Sequence, residues 1–187
     1  IGEVQEGEDP NEFIAPRGYI VADITSKELL SDPGYDPQLW EYTLKIPPSM
    51  TYNAGDYCLI RPQNDPRIVS DVISALHLNP KTIIQIATSG IDPETYPPDL
   101  SILQLFSQFI DLNAKPSQSL IQLFGASNMS NSTTVYDLIL NNSLQTPSLT
   151  DLLLRITPIE PRTYSISSER KGEMATTIGS VVIDDHH

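Results

Sequence analysis

The sequence predicts a mainly β chain with an α-helical insert, in which strands from both ends of the chain complete one barrel and the middle forms a second, helical lobe. Three observations carry that expectation. Apolar and β-branched residues alternate with period two near both ends, apolar residues recur at three- and four-residue intervals between them, and turn signals separate the runs. At 187 residues the chain is long enough to bury a core without disulfide staples.

Residues 1–17 are rich in Glu and Asp and have no periodicity, so they read as a flexible acidic linker. Residues 18–65 supply the first barrel strands. Tyr19 to Thr25 is β-branched and apolar, Trp40 to Ile46 alternates after the turn signal Ser31-Asp32-Pro33-Gly34, and Asp56 to Arg61 follows the turn Asn53-Ala54-Gly55 and stops at Pro62. Residues 66–157 form a mostly helical lobe. Ile68, Val72, Ile73 and Leu76 mark a helix behind Asp65-Pro66, reaching about Leu78. A short strand at Thr82–Ile86 and a Pro-rich loop through Tyr96-Pro97-Pro98 precede a second helical face of Ile102, Leu105, Phe106, Phe109 and Ile110. Three more helix starts are marked by Pro116 ahead of Leu120, by Thr134-x-x-Asp137, and by Ser148-x-x-Asp151. Residues 158–187 return to strand character at Arg162–Ser167 and Thr176–Ile183, with a hairpin expected through Arg170-Lys171-Gly172.

Composition narrows the function classes. A net charge of −13 opposes binding to phosphate backbones, so nucleic acid is not an expected partner. No apolar run is long enough for a membrane-spanning helix, and the N-terminus lacks the basic-then-apolar layout of a signal peptide. The one cysteine, Cys58, excludes an internal disulfide and a C-x-x-C pair, which fits a reducing, cytoplasmic setting. Because the chain begins without Met and ends in Asp184-Asp185-His186-His187 on a strand, it reads as a piece of something longer.

The chemistry concentrates at Pro161-Arg162-Thr163-Tyr164-Ser165, followed by Ile166-Ser167-Ser168. On an extended strand Arg162 and Tyr164 share one face, while Thr163 and Ser165 take the other unless the strand bends. A guanidinium offers planar bidentate donors to a pyrophosphate, and a phenol ring offers a flat amphipathic face for a ring system. The same residue types also occur on ordinary half-buried strands.

Context decides between these readings. The run Pro161 to Ser168 resembles the FAD signature of the ferredoxin–NADP reductase superfamily, in its diflavin branch: NADPH–haemoprotein (cytochrome P-450) reductases, sulfite reductase flavoproteins and nitric oxide synthase reductase regions. Upstream, the stretch Met50 to Asn64, with Tyr52, Gly55-Asp56 and Pro62-Gln63-Asn64, is similar to that branch's Y-x-x-G-D...P-x-N strand and turn. Leu105 to Leu112, with Lys115-Pro116 following, resembles its helical connecting segment, so the likeness runs from about Gly18 to Ile183.

The resemblance implies an antiparallel Greek-key FAD-binding barrel, ferredoxin reductase-like and truncated here, with a small helical connecting lobe. It implies that Arg162 contacts the FAD pyrophosphate, that Tyr164 stacks on the isoalloxazine, that Thr163 contributes mainly backbone, and that Ser165 places its hydroxyl at the flavin N5 edge as the catalytic side chain. The implied whole protein is an NADPH-dependent oxidoreductase that passes electrons from NADPH through FAD and FMN to a haem or iron–sulfur acceptor. Its FMN-binding and NADPH-binding lobes would be the partners of this region. A G-x-x-S turn expected beyond Ile183 is not matched by Gly179-Ser180, the segment from Phe124 to Val135 is shorter than usual, and Pro37-Gln38 stands where a basic pair is common. A contrasting reading keeps the barrel as a flavin-free docking module whose acidic charge suits a basic partner.

Other residues read more plainly. His77 is expected to cap a helix C-terminus, Cys58 to be a buried inert thiol, Asp56 to close a turn, and Trp40 to lie in the core or at a lobe interface. Asp184-Asp185 is expected to be solvated, and the terminal histidines are too local to form a metal site.

Overall fold

The structure, a computed structural model, describes residues 2–3, 15, 18–36, 38–53, 55–85, 96–97, 99–126, 130, 133–142, 145–167 and 177–184. It divides into two units, one made of Ile1–Tyr19 with Pro62–Glu160 and one made of Ile20–Arg61 with Pro161–His187. Each is described by itself.

The first unit is mainly helical. Helix α1 spans Pro66–Ala75; Asp65 caps it by accepting from the Arg67 N–H, and Pro66 occupies the first turn, where a missing N–H costs nothing. The expected continuation to Leu78 does not occur. Leu76 ends the helix, His77 takes a positive φ of 53°, and the His77 and Leu78 N–H groups donate back to Ser74 O and Ile73 O. That is a Schellman stop with histidine where glycine is usual. His77 therefore ends the helix through its backbone rather than through a charge on its ring.

Helix α2 (Ile102–Gln108) opens on Ser101, whose hydroxyl accepts from the Gln104 N–H while the Gln104 side chain accepts from the Ser101 N–H. All five residues of its predicted apolar face are buried. Helices α3 (Gln118–Leu123), α4 (Val135–Asn141) and α5 (Leu149–Leu153) begin at Ser117, Thr134 and Ser148, in line with the sequence cues; Thr134 and Asp137 form a reciprocal box. At the end of α3, Gly125 (φ 61°) makes the same stop that His77 makes at α1, with Gly125 and Ala126 donating to Gln122 O and Ile121 O.

A small antiparallel sheet completes this unit: β1 (Gly2–Glu3) pairs with β5 (Thr82–Gln85), which pairs with β6 (Asp99–Ser101). The sequence shows β5 but not β6, because a three-residue strand running straight into a helix cap leaves no periodicity to read. The core joins Val69 and Val72 of α1, Leu105, Phe106 and Phe109 around α2, and Leu138 and Ile139 of α4. Tyr96, from the Pro-rich loop, is buried with its ring centroid 5.8 Å from that of Phe109.

The second unit is made of strands. Strand β2 (Asp23–Leu29) pairs with β3 (Leu39–Ile46), and β3 pairs along its whole length with β8 (Thr177–Asp184), both antiparallel. The first strand lies further along the chain than its Tyr19–Thr25 composition indicates. Its register is pinned from the turn side, where the Leu30 N–H donates to Leu39 O and the Leu39 N–H to the Ser31 hydroxyl. A bulge at Thr25 interrupts the ladder, and Lys27 lays its ammonium 4.0 Å from the centre of the Trp40 ring. Trp40 is thus half-buried in a sheet face.

Strand β4 (Tyr57–Ile60) pairs with β7 (Arg162–Ser165) as a separate two-stranded sheet. Strands β7 and β8, expected to face each other as a hairpin, are hydrogen-bonded in different sheets; the turn residues Arg170-Lys171-Gly172 lie outside the described residues. Period-two alternation identifies a strand but not its partner. Among the described residues the strands form small antiparallel sheets, and no closed barrel is formed.

Candidate functional site

The β4–β7 ladder brings together two motifs that lie far apart in the chain. Tyr57 pairs with Ser165, Cys58 with Tyr164, Leu59 with Thr163 and Ile60 with Arg162. One step further on, the Gly55 N–H donates to Ile166 O and the Ile166 N–H to Asp56 O, so the Asn53–Asp56 turn is stitched to the end of β7. That turn needs Gly55, whose φ is 88°. The Asp56 N–H donates to Asn53 O, and the Asp56 carboxylate accepts from the Asn53 N–H at 2.7 Å. Asp56 is a turn-closing residue, as its place after glycine indicates.

Because the ladder is regular through Ser165, the strand alternation sorts the side chains. Arg162 and Tyr164 share a face with Ile60 and Cys58; Thr163 and Ser165 share the other with Leu59 and Tyr57. Tyr164, Cys58 and Ile60 are half-buried and Arg162 is exposed. On the other face Tyr57 is 74% and Leu59 56% exposed. The bend that would turn Ser165 to the side of Tyr164 is not present within β7. Among the described residues β7 is hydrogen-bonded as a strand to β4 alone.

The donor set suits a dinucleotide bearing a flat aromatic system. Arg162 is exposed, and it forms no ion pair with another described residue. Arg162 is therefore not neutralised by a described carboxylate, and its planar fork is open to a diphosphate. Tyr164 presents a ring on the same face. Burial pushes the Cys58 thiol up, against smaller opposing effects of the Cys58 and Tyr164 backbone N–H groups, so the thiolate is disfavoured at this half-buried position opposite Tyr164. No group of side chains among the described residues can hold a metal ion.

The family model described as FAD binding domain matches residues 15–139, which contain the Gly55-Asp56 turn and most of the helical unit. The chain belongs to the FAD-binding domain family, as found in P450 reductase-type diflavin reductases. It is 30% identical to a bifunctional cytochrome P450/NADPH–P450 reductase, ALT2, of Alternaria alternata, over 81% of this chain and 16% of that protein. A self-sufficient cytochrome P450 monooxygenase, CYP505U2, of Exserohilum turcicum is 26% identical over 80% of this chain and 16% of its own length. A bifunctional cytochrome P450/NADPH–P450 reductase of Gibberella moniliformis is 33% identical over 43% of this chain and 7% of its own length. The chain thus spans about 16% of the length of the first two of these relatives.

The matched family region ends before β7 and does not cover Arg162, Thr163, Tyr164 or Ser165. The sequence reading named Asn64 only as the end of a motif. It is 5% exposed and bonded to the C-terminal end of α2; a polar residue inside a P-x-N turn carries no sequence signal of such burial. No described helix is long and apolar enough to cross a membrane.

Proposed function

We propose that the β4–β7 ladder is part of an FAD site, with Arg162 holding the diphosphate and Tyr164 packing its ring against the isoalloxazine. The observation that carries this reading is the pairing of the Gly55-Asp56 turn and β4 with β7, which sets an accessible guanidinium and a half-buried phenol on one face. Thr163 contributes backbone at the ladder edge. Ser165 offers a hydroxyl to the N5 edge of the ring, which its opposite face permits only if the ring reaches around the edge of β7 away from β4.

Bound FAD supplies two-electron and one-electron redox chemistry; the protein supplies its orientation and surroundings. In this reading residues 18–65 and 158–187 belong to an antiparallel Greek-key barrel, 66–157 to a connecting lobe, and 1–17 to a linker. The whole protein is a cytoplasmic NADPH-dependent diflavin reductase with FMN- and NADPH-binding lobes. Its acceptor is a haem protein rather than an iron–sulfur one, on the ground that two of the relatives' names pair the reductase with a cytochrome P450.

An FAD titration followed by flavin fluorescence tests the site. Saturable quenching is expected, with heat-denatured protein giving none, and Arg162→Ala or Tyr164→Ala should weaken it about 10- to 100-fold, the size of losing a charge-assisted or stacking contact. Affinity unchanged in both variants rules the assignment out. A well-folded chain that ignores FAD, alone or extended by its neighbouring sequence, favours a docking module, for which the exposed Tyr57 and Leu59 face is the place to look.

A further inference from the structure

We infer that Asn64 is a positioning residue for the Arg162–Tyr164 face, acting as a clamp that holds the stems of β4 and β7 on one helix end. This rests on the flavin reading of that face and names a residue the motif comparison leaves without a role. The last carbonyls of α2 have no partners within the helix and must find them elsewhere. Asn64 supplies two of them: its side-chain Nδ2 donates to Phe106 O at 2.7 Å and its backbone N–H donates to Ser107 O at 2.9 Å, and the same Nδ2 also donates to Ile110 O, just past the helix, at 2.6 Å. Its Oδ1 accepts from Asn113 Nδ2 at 3.5 Å. Both amide hydrogens are used, so neither aspartate nor a hydroxyl can replace it in full.

The returning chain is tied to the same place. The Ile159 N–H donates to Phe109 O, the Asp111 N–H donates to Thr157 O, and Ile110 forms a bridge with Pro158. Only Pro62 and Gln63, with Arg61, separate Asn64 from Ile60, and only Glu160 and Pro161 separate Ile159 from Arg162. Ile60 and Arg162 are themselves the first paired residues of the ladder. Two short, proline-stiffened stems thus leave one anchor and meet as a register pair. With the stem lengths fixed at the anchor, the register that puts Arg162 opposite Ile60 and Tyr164 opposite Cys58 follows, because a slip of one residue would move Arg162 and Tyr164 to the other face.

The test is hydrogen exchange on the whole chain carrying Asn64→Ala, together with FAD titration. Amides of β4 and β7 are expected to exchange about tenfold faster or more, while those of Leu138 and Ile139 in α4 keep their protection. FAD affinity is expected to fall about tenfold, and N64A added to the variant that carries both Arg162→Ala and Tyr164→Ala should cost no more than about threefold further, since Asn64 acts through those two side chains. Unchanged ladder exchange, or losses that multiply in full, overturns the proposal. If N64A unfolds α4 as well, a single glycine inserted between Pro62 and Gln63 leaves the clamp bonds in place and slackens the stem. The same rise in ladder exchange is then expected, and no rise overturns it. Should the unmodified chain fail to bind FAD, the flavin reading falls, while the exchange data still decide the clamp.

Discussion

The helical unit buries its apolar side chains and the strand unit leaves many of its own in water. Among the described residues, every buried hydrophobic side chain, from Val69 to Ile159, belongs to the helical unit, whereas Val21, Ile24, Tyr57 and Leu59 of the strand unit are each more than half exposed. The difference is one of geometry. An α-helix gathers its apolar residues into one stripe that neighbouring helices cover, while a narrow sheet of two or three strands has two faces and little to lay over either. Stability is therefore concentrated in the helices. The strand unit is held by its ladders and turns, and it is the unit that presents Arg162 and Tyr164.

The sharpest way to break this comparison is to empty the helical core. Phe106 is fully buried, and Phe106→Ala should cost about 3–5 kcal/mol in urea unfolding followed by circular dichroism, while Tyr57→Ser should cost no more than about 0.5 kcal/mol. Similar costs for the two would mean that the β4 face is covered in solution. Next in size is the separation of binding from stability. Arg162→Ala, which weakens FAD about 10- to 100-fold in the proposed site, should leave the unfolding midpoint of the flavin-free chain where it was. A variant that loses both together would make Arg162 a structural residue.

A smaller effect is expected at the helix starts. Thr134→Ala removes one half of the box with Asp137 and should cost about 1 kcal/mol, again by urea unfolding. At the helix ends the comparison is between His77 and Gly125, which make the same stop. His77→Gly relieves a side chain held in the left-handed region and should stabilise the chain by about 0.5–1 kcal/mol. Replacing Gly125 by alanine should act in the opposite direction.

The smallest effect is the pH dependence. The Thr134 backbone and side-chain hydrogen bonds hold the Asp137 carboxyl below its ordinary value, and bonds from Ser148 and Arg155 do the same for Asp151. A native value below the unfolded one means fewer protons bound in the folded state. The associated stability is present above the ordinary carboxylate value of about 4 and is lost as pH falls through the lower native value. The thermal midpoint should fall over that acidic window, and Asp137→Asn should flatten part of the fall. A slope unchanged in D137N would show that Asp137 is not one of the groups responsible.

Much of the helical unit was legible because its signals are local. The Asp65-Pro66 start, the Thr134 box and the Ile102 to Ile110 stripe each need only neighbours within a turn or two. The same reasoning missed β6 and, by following the apolar spacing of Ile68 to Leu76, carried α1 on to about Leu78. Nothing in that segment announces that a histidine will adopt a glycine-like conformation.

For the candidate site, the sequence by itself determined the chemistry: which residues carry a guanidinium, a ring and a hydroxyl, that they alternate on a strand, and that their motif resembles a flavin signature. Tertiary structure alone decided the partner. It set β7 against β4 instead of β8, joined the Gly55-Asp56 turn to Ile166, and placed Ser165 on the face away from Tyr164. It also buried Asn64 at the end of α2. Period-two alternation fixes what each face of a strand carries, but hydrogen-bond partners distant along the chain fix which strand it meets, and no local pattern encodes that choice.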